Sequence, residues 1–340
     1  MPTFTADTLL QIAQVILQAV GTPSDLADIV SHGLVGANLA GHDSHGVLRL
    51  PWYIELTRAG QVKPAARPYV QSRHQATARV DGARGWGQPA AHLATQTVLE
   101  VAQVSGIGAV TIDDCNHIGR LGEYVEIIAE AGLIGIMLCN SEILVTPFAG
   151  RQRVMGTNPI AIAIPLGPGE APPVADFATS GVAEGKLRVA RAKGENVAPG
   201  LILDREGRPT QDPNDFYLGG MLLPLGGHKG SGLSLMIELL GGALSGMGPA
   251  ALPDFQGGNG TLVMALNVAA FVSPAVFVAQ ARALAKQVKA TSPANGFSEV
   301  LLPGEPERLA RQRRKADGIP MAEQTWQELQ VLARELNVTL

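Results

Sequence analysis

The stretch Gln88–Leu138, QPAAHLATQTVLEVAQVSGIGAVTIDDCNHIGRLGEYVEIIAEAGLIGIML, changes its hydrophobic period three times. Gln88–Ser105 carries apolar residues at helical spacing, and Gly108–Ile112 is a short strand-like run. Leu121–Ala131 returns to the helical period, and Ile134–Leu138 reads as strand again. Helix and strand in alternation predict an α/β sheet with helices on its faces. Yet no G-x-G-x-x-G follows a strand, so the ordinary dinucleotide fingerprint is missing. G-x-x-x-x-G-K-[ST] is missing as well, and Gly185-Lys186 resembles only its end. A nucleotide site in this chain has to be built from other parts.

Working outward, Thr5 is placed to cap a helix with Leu9, Leu10, Ile12, Ala13, Ile16, Leu17 and Val20 on one stripe, stopped by Gly21. Thr22-Pro23 opens a second helix that runs to Ala40-Gly41. From Tyr69, YVQSRHQATARVDG alternates as a strand and turn. On the C-terminal side, Pro159–Ile164 and Val174–Phe177 read as short strands. Arg188–Pro224 is polar and turn-rich, and reads as a hairpin with a surface excursion. Gly230–Gly248 is apolar and long enough to span a bilayer, but it holds Glu238 and six Gly and reads as a helix buried in protein. Then follow a strand at Thr261–Leu266, a helix at Pro274–Thr291, a last strand at Glu299–Leu302 and a helix at Met321–Leu336.

Composition excludes several classes. The 340 residues include 26 basic and 30 acidic side chains, a net charge of −4, and the only basic cluster is Arg311–Lys315. The electrostatic footprint of a nucleic-acid binder is absent. Forty Gly exceed the roughly 24 of average usage. They carry no collagen-like period, and 46% of the chain is hydrophobic, so neither a fibre nor a disordered chain fits. MPTFTADTLL has no basic n-region and no long apolar stretch, so no signal peptide is expected. Cys115 and Cys139 give no disulfide framework. These features predict a soluble cytoplasmic protein without nucleic-acid or membrane partners.

Chemistry concentrates in a few clusters. In GHDSHGVLRLPWY, Gly41–Tyr53, His45 and Arg49 lie four residues apart, where they share one face of a helix. Histidine trades a proton near neutral pH, and arginine offers a planar fork for a carboxylate. Ser44 is placed to orient the imidazole; a solvated helix end with capping residues explains the same letters. The ligand types for a metal are present, but nothing fixes the remaining geometry, so none is assigned. CNHIGRLGEY, Cys115–Tyr124, follows a strand and opens a helix whose first N–H groups suit phosphate, with Arg120 adding charge; a plain turning loop fits equally. GTNP, Gly156–Pro159, offers Thr157 or an Asx-type turn. DFATS, Asp176–Ser180, offers an acid for ribose hydroxyls or a helix cap. Lys186 suits a carboxylate or plain solvation, and GGHKGSG, Gly226–Gly232, sets His228 and Lys229 between glycines.

Taken together and in order, these segments resemble the malate/L-lactate dehydrogenase family of non-Rossmann NAD(P)-dependent oxidoreductases. GWGQ at Gly85–Gln88, ELLGGALSG at Glu238–Gly246 and LLPGEPE at Leu301–Glu307 extend the resemblance over nearly the whole chain. ANLAGHDSHG and the closing GIPM with Trp326 are most similar to the hydroxycarboxylate dehydrogenase B branch.

The resemblance implies a non-Rossmann α/β fold, a mixed sheet with flanking helices and terminal helical segments. It implies an N-terminal segment, 1–75, carrying the catalytic histidine and packing with C-terminal helices, 306–340, for dimerisation, around a discontinuous cofactor and substrate region, 76–305. By the family pattern His45 is the acid/base at the C2 oxygen, Ser44 its polar neighbour, Arg49 the carboxylate clamp and Thr157 a substrate contact. NAD or NADP falls to His117, Ile118, Gly119, Arg120, Leu121, Asp176, Phe177, Ala178, His228, Lys229, Gly304 and Glu305. Lys186 stands where imine-reducing members carry an acid. That departure favours a 2-oxo acid over a cyclic ketimine, with Lys186 steadying the charge on the oxygen. Ala149 in PFAG replaces a glycine common in the family. The implied activity is a homodimeric 2-hydroxy acid dehydrogenase acting on a small 2-oxo or 2-hydroxy carboxylate. The alternatives are a Δ1-piperideine- or pyrroline-2-carboxylate reductase, a catalytically silent nucleotide-binding protein, and a Ser44–His45 hydrolase.

Overall fold

The computed structural model describes residues 2–340. The chain opens with β1 (Thr3–Phe4), α1 (Ala6–Ala19) and α2 (Ser24–Leu39). Thr5 caps α1 as its sequence predicts: the hydroxyl accepts the Thr8 N–H at 3.1 Å, and Leu9, Ile12, Ala13, Ile16 and Leu17 are buried on one stripe. Two single 3-10 turns, Asp43–His45 and Val47–Arg49, lead into α3 (Leu50–Arg58).

The central region follows as β2 (Tyr69–Arg73), β3 (Thr77–Asp81), α4 (Gly87–Ser105), β4 (Ile107–Asp113), α5 (Leu121–Glu130), β5 (Leu133–Cys139), β6 (Ile160–Ala163) and β7 (Val174–Phe177). An excursion contributes α6 (Glu184–Lys193), β8 (Ile202–Leu203), β9 (Pro209–Thr210), α7 (Pro213–Tyr217) and β10 (Met221–Leu222). After it come α8 (His228–Ile237), a π-helical segment Glu238–Ala243, β11 (Thr261–Asn267) and α9 (Pro274–Lys289). The chain closes with α10 (Glu305–Asp317), β12 (Ile319–Pro320) and α11 (Glu323–Glu335).

The central sheet has the order β2-β3-β4-β11-β5-β6-β7, and within it only β3 and β4 run parallel. The late strand β11 returns antiparallel between β4 and β5, with Val263 opposite both Val110 and Met137. A doubly wound nucleotide-binding sheet has no such strand at its centre, which accords with the missing glycine fingerprint. Val98 of α4 and Ile128 of α5 pack with Val110, Ile112, Met137 and Val263 on one face. On the other face Ile237 of α8 meets Leu138 and Leu262. Each fully buried aliphatic side chain here contributes about 1.5–3 kcal/mol. The chain ends meet in a second core: β1 pairs with β12, and Phe4 lies 4.7 Å from Trp326. Leu329 and Leu332 of α11 pack there with α1, α2 and α3.

Three expectations are corrected. Glu299–Leu302 forms no strand, and Leu302 instead gives its N–H to the Glu305 carboxylate at 2.6 Å. The turn-rich excursion is more than a hairpin. It carries a three-stranded sheet, β10-β8-β9, over a small core of Val145, Met155, Leu187, Ile202, Phe216 and Leu222. The Gly230–Gly248 segment is buried on one side only, through Gly230, Ser234, Ile237, Glu238, Gly241 and Gly242. It leaves the α-helical path at Glu238 and exposes Leu233, Leu235, Met236, Leu239, Leu240 and Leu244. An apolar sequence records the absence of charge on a face, not what covers it.

Candidate active site

The GHDSHG segment forms a turn tied down from behind. At Gly46 any Cβ would overlap the Asn38 side chain, so the chain passes there only as glycine. Asn38 Oδ1 accepts the Val47 N–H at 2.9 Å, and its amide donates to Asp43 at 2.7 Å. Arg314 of α10 forks onto Asp43 at 2.6 and 2.9 Å, and His42 meets Glu307 of the same helix at 3.1 Å. The residues of the turn that remain free are Ser44, His45 and Arg49, and all three line a cleft of about 1570 Å³. His45 and Arg49 occupy two successive 3-10 turns broken at Gly46, not one helical face as their spacing predicts.

Ser44 Oγ lies 3.1 Å from His45 Nδ1, and Arg49 Nε donates to the Ser44 carbonyl at 2.7 Å. That bond accompanies a guanidinium set over Trp52, 5.3 Å from the ring centre, and Arg49 lines the cleft. Burial, reinforced by the positive charges of Arg49, His42 and Arg120, pushes the His45 pKa down to about 3. The imidazole is deep in the cleft wall and still partly accessible. At neutral pH it is uncharged.

His117, read from sequence as a cofactor contact, stacks on His45 with ring centres 5.6 Å apart and planes 23° from parallel. Its Nδ1 lies 2.8 Å from the hydroxyl of Tyr53, which also receives the Gln88 amide N–H at 2.8 Å. Sequence reading missed Gln88 as an active-site support; the signal was its place in GWGQ.

Thr157 lines the same cleft, and its N–H and hydroxyl meet Ser141 Oγ at 3.0 and 3.3 Å. Next to it Asn158 adopts φ +32° and donates to Glu238 at 2.8 Å. Buried Glu238 also accepts N–H groups from Gly156, Ala250 and Asn140, so one carboxylate ties the GTNP turn to the π-helical segment. The wider turn of that segment aims Glu238 at these donors. A Cβ at Gly185 would overlap Ser44; its absence lets α6 lie directly on the GHDSHG turn and brings exposed Lys186 to the cleft.

Gly119, Arg120, Leu121, Asp176, Phe177 and Ala178 line the same cleft. Arg120 is no free cation there. Its guanidinium is 3.8 Å from Asp176 and 3.6 Å from Glu126, which Arg311 in turn grips at 2.8 and 2.7 Å. Asp176 accepts the Gly122 N–H at 2.8 Å and so caps α5 from a neighbouring strand; burial raises its pKa against the pull of Arg120. Ile118 is buried beneath the loop, its N–H on Asn259 Oδ1 at 3.1 Å.

His228, Lys229, Gly304 and Glu305 lie outside that cleft. His228 lines a second, apolar pocket of about 500 Å³ with Phe148. Ala149, beside Phe148, adopts φ +64°, a left-handed conformation that explains why glycine suits the position. Glu305 pairs with Lys289 at 2.9 Å. The edge strand β7 nevertheless links all these segments. Val174 donates to Pro303 at 3.0 Å beside Gly304, and beyond the strand Leu225 donates to Thr179 at 2.8 Å just before the α8 N-terminus. That terminus has no side-chain cap, and its first turn holds His228 and Lys229. Uncapped N–H groups with a neighbouring cation fit the pyrophosphate of a dinucleotide laid along β7. Among the described residues no group of three or more His, Cys, Asp or Glu is arranged to hold a metal.

A family model described as malate/L-lactate dehydrogenase matches residues 4–330. The L-sulfolactate dehydrogenase of Methanothermobacter thermautotrophicus is 36% identical over 337 residues, covering 97% of this chain and 96% of that protein. Hydroxycarboxylate dehydrogenase B of Escherichia coli K12 is 36% identical over 344 residues, covering 98% and 94%. The crystal structure of malate dehydrogenase from Entamoeba histolytica superposes with a TM-score of 0.94 at 27% identity, covering 100% of this chain and 99% of that one.

Proposed function

The chain belongs to the malate/L-lactate dehydrogenase family, and from that premise we propose how its cleft performs the family chemistry. It is an NAD(P)-dependent oxidoreductase that interconverts a 2-hydroxy acid and its 2-oxo acid. The observation that carries the assignment of roles is the anchored turn: an uncharged base, His45, and the fork of Arg49 stand on the two sides of Ser44 at one cleft wall.

The Nε of Arg49 is committed to the Ser44 carbonyl, which leaves the two terminal nitrogens to grip the substrate carboxylate. The C2 oxygen then faces His45. In oxidation the neutral imidazole takes the hydroxyl proton; in reduction the imidazolium returns it to the same oxygen. Burial and, after it, the charge of Arg49 depress the His45 pKa; the carboxylate offsets the second of these, so substrate binding shifts the imidazole toward its protonated form. Ser44 steadies the imidazole, Thr157 contacts the substrate, and Lys186 approaches the developing negative charge from α6. The nicotinamide, when bound, accepts or supplies hydride at C2. His117 and Gly119–Leu121 hold its cleft end, with Ile118 beneath them. Asp176–Ala178, His228–Lys229 and Gly304–Glu305 carry the rest along β7.

The enzyme works as a homodimer in the cytoplasm and accepts NAD or NADP. The dimer reading is supported by the exposed leucines of α8 and the π-helical segment, a contiguous apolar face of the kind monomers rarely leave open. The apolar sides of α1, α2 and α11 are by contrast packed on one another.

Oxidation of NADH and NADPH, followed optically against 2-oxo acids and cyclic imines, tests the substrate class. The expected result is turnover of 2-oxo acids above cyclic imines. In Arg49→Lys a loss of about 10²-fold in kcat/KM is expected, because an ammonium cannot replace the fork. Preference for cyclic imines, or an unaffected Arg49→Lys enzyme, contradicts the reading.

A further inference from the structure

Behind His117 the chain holds a relay that the reaction just described does not use. Tyr53 on α3 and Gln88 in the first turn of α4 are both buried, and the Tyr53 hydroxyl joins Gln88 Nε2 to His117 Nδ1, 2.8 Å to each. A phenol carries one hydrogen. With its oxygen accepting from the Gln88 amide, that hydrogen is directed to His117 Nδ1. A neutral imidazole whose Nδ1 accepts holds its own hydrogen on Nε2. Turning the Gln88 amide over would reverse both bonds. It would also set the NH2 group where Oε1 now lies, buried and without a hydrogen-bond partner among the described residues. An orphaned buried N–H is rarer and costlier than an under-satisfied carbonyl, so the first orientation is favoured.

The ring has little other freedom. Asn116 donates to the carbonyls of Arg84 and Gly85 at 3.1 and 2.8 Å, and Ile118 to Asn259 at 3.1 Å, which fixes the backbone on both sides of His117. His45 stacks on one side of the imidazole, and Trp52 and Tyr53 meet it at steep angles with ring centres 5.7 and 5.9 Å away.

We propose that Gln88 and Tyr53 are positioning residues that hold His117 as its Nε2–H tautomer, giving the substrate C2 oxygen a fixed N–H donor beside His45. The identity of that acceptor rests on the hydroxy-acid reading; the tautomer does not. Burial lowers the His117 pKa well below the ordinary histidine value and raises that of Tyr53, so both stay uncharged at neutral pH. His117 then donates a hydrogen bond without giving up its proton, while His45 exchanges one. The opposite tautomer would aim a lone pair at an oxygen gaining negative charge.

Long-range ¹H–¹⁵N correlation spectra of ¹⁵N-histidine enzyme test the relay, with His117→Gln identifying the resonance. The wild type is expected to show a bare Nδ1 and a protonated Nε2. Tyr53→Phe keeps the ring but mixes the tautomers, and lowers kcat about tenfold with the KM for reduced cofactor unchanged. Gln88→Glu, whose carboxylate only accepts, inverts the relay and yields the Nδ1–H form. The double variant Tyr53→Phe/Gln88→Leu is no slower than Tyr53→Phe alone, because the groups act as a unit. A wild-type His117 protonated on Nδ1 overturns the proposal, as does a Tyr53→Phe enzyme with unchanged tautomer and kcat. An Nε2–H His117 in a protein that turns over no 2-oxo acid would uphold the relay and remove the hydroxy-acid reading instead.

Discussion

Two glycine-rich segments divide the work of this molecule, and they are held in opposite ways. The turn proposed to carry the proton transfer, Gly41–Arg49, is fastened on its rear face by Asn38, Arg314 and Glu307 and is overlain by α6. The segment that opens α8, Gly226–Gly232, has an uncapped helix start and runs into a helix whose leucines face outward. One segment is tied down on all but its cleft side; the other has a helix start without a side-chain cap and an apolar face without a cover in this chain. Groups that move a proton must be pre-positioned to a fraction of an ångström. Groups that bind a large anionic cofactor gain most of their order from the cofactor itself.

The largest expected effect falls on the fastened turn. His45→Ala should lower kcat by about 10²–10⁴-fold while the reduced cofactor still binds, as measured by steady-state turnover and nicotinamide fluorescence. Near-normal turnover would remove His45 from the proton transfer. On the uncovered face, Leu239→Asp should convert the dimer to a monomer in sedimentation, with the folding stability of the chain changed by less than about 1 kcal/mol because Leu239 is exposed. A dimer that survives this charge would place the subunit contact elsewhere. Arg314→Ala tests whether the rear anchor matters. It leaves Ser44, His45 and Arg49 in place but frees the turn, and kcat should drop about tenfold. Because Asp43 is nearly half exposed, the stability lost should be only about 1 kcal/mol.

The last effect is on acid stability and leaves activity at neutral pH aside. In the unfolded chain His45 titrates near 6.5 and in the fold near about 3. Between those values the unfolded chain binds more protons, so the contribution is complete above the unfolded value and is lost as pH falls toward the folded one. Urea unfolding of His45→Asn should therefore show a shallower decline below about pH 6.5 than the wild type, and an identical slope would contradict the depressed pKa.

The sequence was most legible where neighbours along the chain determine structure. Thr5 capping α1, Gly21 ending it, and the alternation from α4 to β5 depend on a cap, a turn and a period. The residues brought to one cleft were legible through their motifs, His45, Arg49 and Thr157 among them. The position of β11 was not, because its apolar pattern suits any central strand and its partners lie more than a hundred residues earlier. Arg120 reads as a phosphate ligand until Asp176 and Glu126 arrive from elsewhere in the fold to take its charge. Gln88 stands in the GWGQ motif and Tyr53 at the end of GHDSHGVLRLPWY, but neither motif shows a link to His117, which exists only once α3 and α4 meet. The outward face of α8 was misread for a related reason: its leucines lack a cover within one chain.

The central claim is that the Arg49–His45 pair converts carboxylate binding into protonation of the acid. Calorimetric titration of the enzyme–NADH complex with oxamate, a 2-oxo acid isostere that is not reduced, measures this directly when repeated in buffers of different ionisation enthalpy. The account predicts uptake of up to about one proton per site near pH 7, abolished in His45→Asn. Binding without proton uptake, or the same uptake in His45→Asn, would contradict it.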